Sequence, residues 1–563
     1  MSSLDFAVIG LAQVLILGVG WWILRKGSSQ EDFLRHQAQP WFSVGIGIMA
    51  TQASAITFLS APGLAFSQGV GFIQFYLGMP VALWIISRWA LPWYYRLRVV
   101  TAYEFLEHRF DRRVRRIASF LFLAHRGIAA GLTIYPPALV FHYALGWDLA
   151  LSVVGIGATV LLYTVTGGAR AVAVTQKVQM GIITLGMVYA AYSLASEKPE
   201  TLTWEQWLYP AEATHRLDWL DFNWDPSTPY TVWSGLLGGT FLMLSYFGTD
   251  QSQVQRYLGG SDIRQSRLGL RFNSILKIPL QASILFLGIL LYAHYSRQET
   301  PLHFNNSLVE NVLNKATDTE HATFKAWETE HAQLEAERRI LIKQKDDLNI
   351  SNDLEINNLN IEINTNKARA QNWIKAKTGD GGETNLIFLH YVLNSFPSGM
   401  LGLLIAVLLA ASMSSTSAEL SALTSSTAWD WKGLFAKSAQ VQETNSSPTR
   451  LRWITFFWGL YAIGFALLAY RLGSLIEAVN AVGSLVYGAV LGVFVVGWFL
   501  PKIQSNAVFT SVLLVEATVL ILWTTQDWPF LWYNPLGCLG VVALSWLLQQ
   551  AAPFRSGRKT MPH

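Results

Sequence analysis

Charge is scarce in this chain. Asp, Glu, Lys and Arg make up 14% of its 563 residues, while 52% are hydrophobic. A soluble protein carries about a quarter charged residues, so a soluble globular fold is excluded. Cysteine is nearly absent. The single one, Cys538, excludes an intrachain disulfide and a thiolate metal centre. The net charge of +4 is small and forms no basic stripe, so no nucleic-acid partner is expected. Zinc-protease, P-loop and dinucleotide signatures are missing too. Proline and glycine vanish between Pro301 and Gly379, although both are plentiful elsewhere. That gap excludes a turn-rich domain there and favours long helices.

What fills the rest is apolar runs of bilayer length. About thirteen spans follow from length and hydropathy. They lie near 4–24, 42–66, 71–95, 114–144, 148–165, 176–195, 234–258, 272–296, 398–428, 450–470, 475–499, 505–523 and 532–550. The chain therefore reads as an all-α polytopic membrane protein. Asp5 precedes the first span and Arg25 and Lys26 follow it, which reads as an uncleaved helix with its N-terminus outside. Every second loop is then basic. The 96–116 loop carries seven arginines, from Arg96 to Arg116. The 256–271 loop carries Arg256, Arg264, Arg267 and Arg271, and the tail carries Arg555, Arg558 and Lys559. The C-terminus is expected in the cytoplasm.

Three segments follow: 1–296 with eight spans, an insertion at 297–385, and 386–563 with five more. The insertion is polar and helix-prone. Phe324, Trp327, His331, Leu334 and Leu341 fall at helical spacing, and Leu348, Leu354, Leu359, Ile361 and Ile363 could line a second arm. A helical hairpin outside the membrane is expected, turning near Asn349–Asn352. It would serve as a lid or as a docking arm for a periplasmic partner.

Polar residues inside the spans carry the functional signal. The ninth span runs LGLLIAVLLAASMSSTSAELSALTSS and places Ser412, Ser414, Ser415, Thr416, Ser417 and Ser421 in a hydrophobic helix. Such hydroxyls either pack helices together or supply neutral oxygens to a hard cation. In the second span Thr51, Gln52, Ser54 and Thr57 fall near the midplane. In the seventh, Gly248-Thr249-Asp250 is a break candidate. Unwound helices at the midplane are where transporters bind ions and solutes. The two broken spans stand five helices apart, the spacing of the first helices of two five-helix repeats. An odd number of helices per repeat makes the repeats inverted. Arg126, Lys277, Glu419, Glu477 and Asn480 also lie within spans. So many polar groups on so many helices argue for an internal polar cavity.

TGGARAVAVTQKVQ (Thr166–Gln179) and DQSQVQRYL (Asp250–Leu258) resemble motifs of the sodium:solute symporter family. SAITFLSAPG and TAYEFLEHRF resemble its branch of sialic acid, monocarboxylate, iodide and vitamin carriers. The resemblance covers everything except 297–385. It implies a LeuT-type 5+5 inverted repeat with one extra helix before it and two after. It implies a Na+ site built from the carbonyls of Ala50, Ala53 and Ala411 and the hydroxyls of Ser414 and Ser415. It implies solute contacts at Ser54, Thr57, Phe72, Gln74, Tyr76, Asp250, Lys277 and Asn480, with Arg126 as a candidate carboxylate contact. Where many members carry an Asp of a second sodium site, this chain has Gln176, and Ala418 replaces a further hydroxyl. One Na+ per cycle is therefore expected.

The function expected is Na+-coupled import of a small polar organic solute (a sugar, a sialic acid or a carboxylate) by alternating access across the inner cell membrane. A transporter-like sensor and a polytopic membrane enzyme are the alternatives. No signalling domain follows Pro553 and no catalytic motif is present to favour either.

Overall fold

The protein was analysed as a computed structural model that describes residues 1–25, 38–379, 382–431, 448–472 and 474–551. Lys26 and the basic tail with Arg555, Arg558 and Lys559 lie outside the described residues. So do the side chains of 166–173, which carry the first half of the Thr166–Gln179 motif. Among the described residues every regular element is helical.

The membrane helices follow the apolar runs. They are α1 (Ser3–Arg25), the pair α2 (Trp41–Gln52) and α3 (Ala55–Gln68), α4 (Val70–Leu97), α5 (Arg112–Leu145) and α6 (Leu149–Ser196). The second half holds α7 (Val232–Gly248), α8 (Gln251–Leu258) and α9 (Ile263–Tyr295). Among the described residues eight helices are long and apolar enough to cross a bilayer, and α2 with α3 passes the same test as one bent span. The spans expected at 148–165 and 176–195 both fall within α6. The Tyr163 hydroxyl bonds the Thr175 hydroxyl, twelve residues on. Along a straight helix those positions stand about 18 Å apart, so α6 does not run straight between the two expected spans.

The span expected at 272–296 begins nine residues earlier. Asp262 ends the preceding loop by accepting from the backbone N–H groups of Arg264 and Gln265, so the helix starts at Ile263. Hydropathy alone missed this turn because Arg264, Arg267 and Arg271 make it polar.

Both expected helix breaks are present. α2 stops at Gln52, Ala53 leaves the helix, Ser54 is extended, and α3 restarts at Ala55 with a 61° change of direction. Ser54 caps the new helix by accepting from the Thr57 amide at 3.4 Å. Small residues let neighbours close on this element. A Cβ on Gly288 of α9 would stand 2.2 Å from the Pro62 carbonyl oxygen. The second break falls between Gly248 and Gln251, where Asp250 caps α8 by accepting from the Ser252 amide at 2.8 Å.

The polar segment folds into a hairpin. α10 (Asp318–Leu348) opens on a Thr317–Glu320 capping box, Asn349 turns the chain at φ 56°, and α11 (Asp353–Thr378) returns. Phe324 packs with Ala370 and Ile374, but the second arm is rotated from the expected stripe. Leu348, Leu354 and Ile361 are exposed, while Ile356, Leu359 and Ile363 face inward. The inner face also carries Glu335, Arg338, Asn360 and Lys367, because it packs on the polar end of α9 rather than on a purely apolar core.

The chain closes with α12 (Met400–Asp430), α13 (Pro448–Ala466), α14 (Leu475–Phe499), α15 (Ser505–Thr525) and α16 (Tyr533–Ala551). α12 is the central helix, buried along nearly its whole length. Asp5 of α1 ties the extra first helix to it, accepting from the amides of Gly399 and Gly402 at 2.7 and 2.9 Å. A carboxylate there offsets the positive end of the α12 dipole.

Candidate functional site

A helix that stops inside a membrane leaves its last carbonyls without helical partners. At the end of α2 each receives a separate answer. The Met49 carbonyl accepts from the Ala53 amide, and the Gln52 carbonyl accepts from the Thr57 hydroxyl at 3.4 Å. The Ala50 carbonyl accepts from the Ser414 hydroxyl at 3.0 Å. Ser414 belongs to α12, so one hydroxyl joins the first broken helix to the central helix.

The hydroxyl-rich turn of α12 is fully buried. Ser415 donates to the Ala411 carbonyl at 2.9 Å, and Ser417 donates to the Ser414 carbonyl at 3.2 Å. That carbonyl also accepts from the Gln176 side-chain amide at 3.3 Å. Ala50, Ala411, Ser414 and Ser415 are thus brought together, with Ala53 at the adjoining break. The donors are neutral oxygens, the set that suits Na+ rather than a transition metal. Among the described residues no cluster of His, Cys, Asp and Glu could hold a metal.

Beside this turn lies a cavity of about 110 Å3. Five of the expected solute contacts line it: Ser54, Thr57, Tyr76, Lys277 and Asn480. Ser415 also reaches it, so the hydroxyl turn and the cavity share a wall. Lys277 is buried, with its ammonium 5.4 Å from the centre of the Tyr76 ring and no carboxylate in contact among the described residues. Asn480 spends its amide on the Ile476 carbonyl at 2.7 Å, leaving its carbonyl oxygen for other donors.

Three expected contacts stand elsewhere. Phe72 stacks on Phe75, and it is Phe75 that faces the cavity. Gln74 donates to the Tyr230 carbonyl at 2.9 Å and accepts from the Asp221 amide at 2.8 Å, which fixes a loop. Asp250 sits behind the cavity wall, bonded to Arg126 and to the Tyr487 hydroxyl. Alternation along α4 explains the first two. An irregular first turn, 3-10 over Val70–Tyr76, rotates neighbouring side chains differently from an α-helix.

Arg126 lines the cavity, but its charge is already answered. It bonds Asp250 and donates to Glu419 at 3.1 Å. A carboxylate contact through Arg126 would have to compete with two acids. Sequence reasoning named Thr51, Gln52 and Glu419 as polar groups of the spans without giving them a solute contact, and missed His125, Thr133, Tyr246 and Tyr487 as cavity residues. For Thr51, Gln52 and Glu419 the signal was present, since each is a polar residue inside a span.

An all-helical bundle with two broken helices meeting a polar midplane cavity has the architecture of secondary transporters. The family model of the sodium:solute symporters matches residues 33–297 and 364–514, well over half of the chain. The chain belongs to the sodium:solute symporter family. It is 31% identical over 301 residues to the human sodium/iodide cotransporter, covering 52% of this chain and 46% of that one. It is 25% identical over 530 residues to human sodium-coupled monocarboxylate transporter 1, covering 92% of this chain and 72% of that one. The match thus spans about half the length of the first of these relatives. A solved Na+-coupled sialic acid symporter superposes with a TM-score of 0.73 at 20% identity, covering 98% of each chain. This chain therefore has that fold.

Proposed function

We propose that the chain is a Na+-coupled symporter that imports a small anionic organic solute, a carboxylate in the first instance, across the inner cell membrane. The observation that carries this reading is the Ser414–Ala50 bridge beside a cavity where Lys277 has no carboxylate partner among the described residues. Na+ held by the Ala50, Ala53 and Ala411 carbonyls and the Ser414 and Ser415 hydroxyls would tie the first broken helix to α12. That tie builds one wall of the solute cavity, so ion and solute stabilise the same conformation. Lys277 would take the solute's negative charge. Ser54, Thr57, Tyr76 and Asn480 would take its hydroxyl or carbonyl groups. Two relatives are named as carriers of anions, iodide and monocarboxylates, which supports the assignment to Lys277. Alternating access then lets the inward Na+ concentration gradient drive uptake of the carboxylate.

The test is uptake into proteoliposomes under an inward Na+ gradient, with lactate, a sialic acid and galactose as labelled solutes. Na+-driven accumulation of a carboxylate supports the reading. Accumulation of galactose alone overturns the solute class, and equal uptake with choline in place of Na+ overturns the coupling.

A further inference from the structure

A second polar cavity, of about 280 Å3, lies where the hairpin meets the ends of α3 and α9. Arg216, Tyr292, Glu335, Arg338, Asn360 and Lys367 line it. Two guanidinium groups share one aromatic ring there. Arg216 stands 3.9 Å and Arg338 5.6 Å from the centre of Tyr292. Both arginines are at least nine-tenths buried, at 5% and 3% exposed.

The charges around this cavity do not balance. Arg338 donates to Glu335 at 2.6 Å, and Lys367 stands 3.6 Å from Glu383. Arg216 has no carboxylate partner among the described residues. It donates instead to the Phe66 carbonyl at 2.9 Å and the Ser67 carbonyl at 3.4 Å, the end of α3. Three cations therefore face two carboxylates. Burial and the neighbouring Arg338 both push the Arg216 guanidinium below its ordinary range. The Nε of Arg338 is buried with no hydrogen-bond partner. An unsatisfied buried donor and an uncompensated buried charge are each costly, and one anion would relieve both.

We propose that this seam is a second solute site, outside the central cavity, that takes a small hydroxycarboxylate. Its carboxylate would accept from the guanidinium groups of Arg216 and Arg338, which hold an anion more strongly than neutral donors do. Glu335 and Glu383 keep it on that side of the cavity. Asn360 and Lys367 serve the hydroxyl end. The Tyr292 hydroxyl already links the two parts, accepting from Arg338 and donating to Asn360, both at 3.1 Å. Glu335, Arg338 and Asn360 come from the stretch between 297 and 364 that the family model does not match, so half of the site is an addition to the family's own fold.

The site is placed to feed the central cavity. Phe66 and Thr57 mark the two cavities along α3, and Tyr292 and Lys277 mark them along α9. Those separations are about 14 Å and about 22 Å at the helical rise. No residue of the proposed Na+ site lines the outer cavity, so binding there needs no Na+.

Equilibrium dialysis of the purified full-length protein tests this, with labelled lactate and glycerate as probes and glycerol as the neutral control. In Na+-free choline buffer the two acids should bind and glycerol should not. Arg216→Gln and Arg338→Gln should each weaken that binding at least about tenfold, and Arg216→Lys should weaken it less. Ser414→Ala/Ser415→Ala should leave it intact. The Na+-dependent binding predicted for the central cavity serves as the folding control for the Arg216, Arg338 and Lys367 variants. Lys367→Gln, which leaves both arginines in place, is the second variant if one of the others fails to fold. It should weaken glycerate, which has the extra hydroxyl, more than lactate. No Na+-free binding of either acid at about 10 mM overturns the proposal. So does binding that both arginine variants leave unchanged. The control arm rests on the proposed function. Loss of Na+-dependent binding alone would count against that function and leave the outer site standing.

Discussion

The Ser414 hydroxyl donates to the Ala50 carbonyl across 3.0 Å, joining two helices whose residues are more than three hundred positions apart. Neither atom has an intrinsic reason to seek the other. The carbonyl is free because α2 ends at Gln52, and the hydroxyl comes from a fully buried serine of α12. Replacing Ser414 and Ser415 together with Ala should abolish Na+-stimulated uptake while the protein stays inserted. Each loss removes a hydrogen bond worth about 1 kcal/mol, too little to unfold the bundle. Uptake that keeps its normal Na+ dependence in the double variant would remove the ion site from this position.

Lys277 offers a second measurement. It lines the cavity without a carboxylate partner among the described residues, so its charge is available to solute. Lys277→Gln should raise KM for a carboxylate by about tenfold to a hundredfold, the worth of one charge-assisted contact. The Na+ dependence should persist. An unchanged KM would mean that Lys277 serves only to pack on Tyr76.

Much of this was legible in the sequence, for physical reasons. The two breaks were visible because Thr51–Thr57 and Gly248–Asp250 put polar or turn-forming residues where a bilayer tolerates few. The hairpin was visible because proline and glycine were absent. The rotation of its second arm was not, since that stripe is set by the polar end of α9 underneath. Nor could periodicity show that Gln74 supports a loop while Phe75 faces the cavity. That depends on one 3-10 turn, and no composition rule sets its phase. The partnering of Arg126 was equally hidden, because Asp250 and Glu419 reach it from two other helices.

Those three charges should respond unequally to neutralisation. Arg126 is shared by Asp250 and Glu419, so the trio holds one more acid than base. Glu419→Gln leaves a balanced Arg126–Asp250 pair and should change the melting temperature little. Arg126→Gln leaves two buried carboxylates unanswered and should cost about 3–5 kcal/mol. Thermal melting of the purified variants ranks them. Equal losses for Glu419→Gln and Arg126→Gln would show that the trio is not organised around the arginine.

Acid should loosen the hairpin. Burial first, and then the nearby Lys367, pull the His331 imidazole down from 6.5 to about 4. Glu335 and Arg338 face it from its own helix, and the Thr300 hydroxyl lies 3.3 Å away. With the folded value depressed, the detached hairpin takes up the proton first as pH falls. Docking stability is therefore complete above about pH 6.5 and declines towards about pH 4. Hydrogen exchange over residues 318–378 should accelerate between about pH 7 and about pH 5 after correction for intrinsic rates. His331→Gln should flatten that dependence. A wild-type profile that stays flat would show that the imidazole is not held neutral.

Ion stoichiometry turns on Gln176. Its amide donates to the Ser414 carbonyl at 3.3 Å, and its carbonyl oxygen is buried without a partner. Glutamine therefore supports the α12 turn from outside and brings no negative charge to it. Ser417 donates to the same carbonyl at 3.2 Å and is the one side-chain hydroxyl left for a second ion, because Ala418 beside it has no side-chain ligand atom. A second Na+ would find there one hydroxyl and one amide oxygen and no carboxylate, too few ligands to replace its lost hydration, where the first ion has five oxygens proposed for it. One Na+ per solute is expected. The Hill coefficient for Na+ should lie near one, and charge movement with a monovalent carboxylate should be close to zero, because one cation and one anion cross together. Gln176→Asp reverses the chemistry: it removes the amide donor and sets a carboxylate near the Ser414 carbonyl, where only a cation makes the arrangement favourable. That variant should fold best at high Na+ and steepen the Na+ dependence. Two Na+ per solute in the wild-type protein, measured by paired isotope uptake, would show that a second site works without its carboxylate.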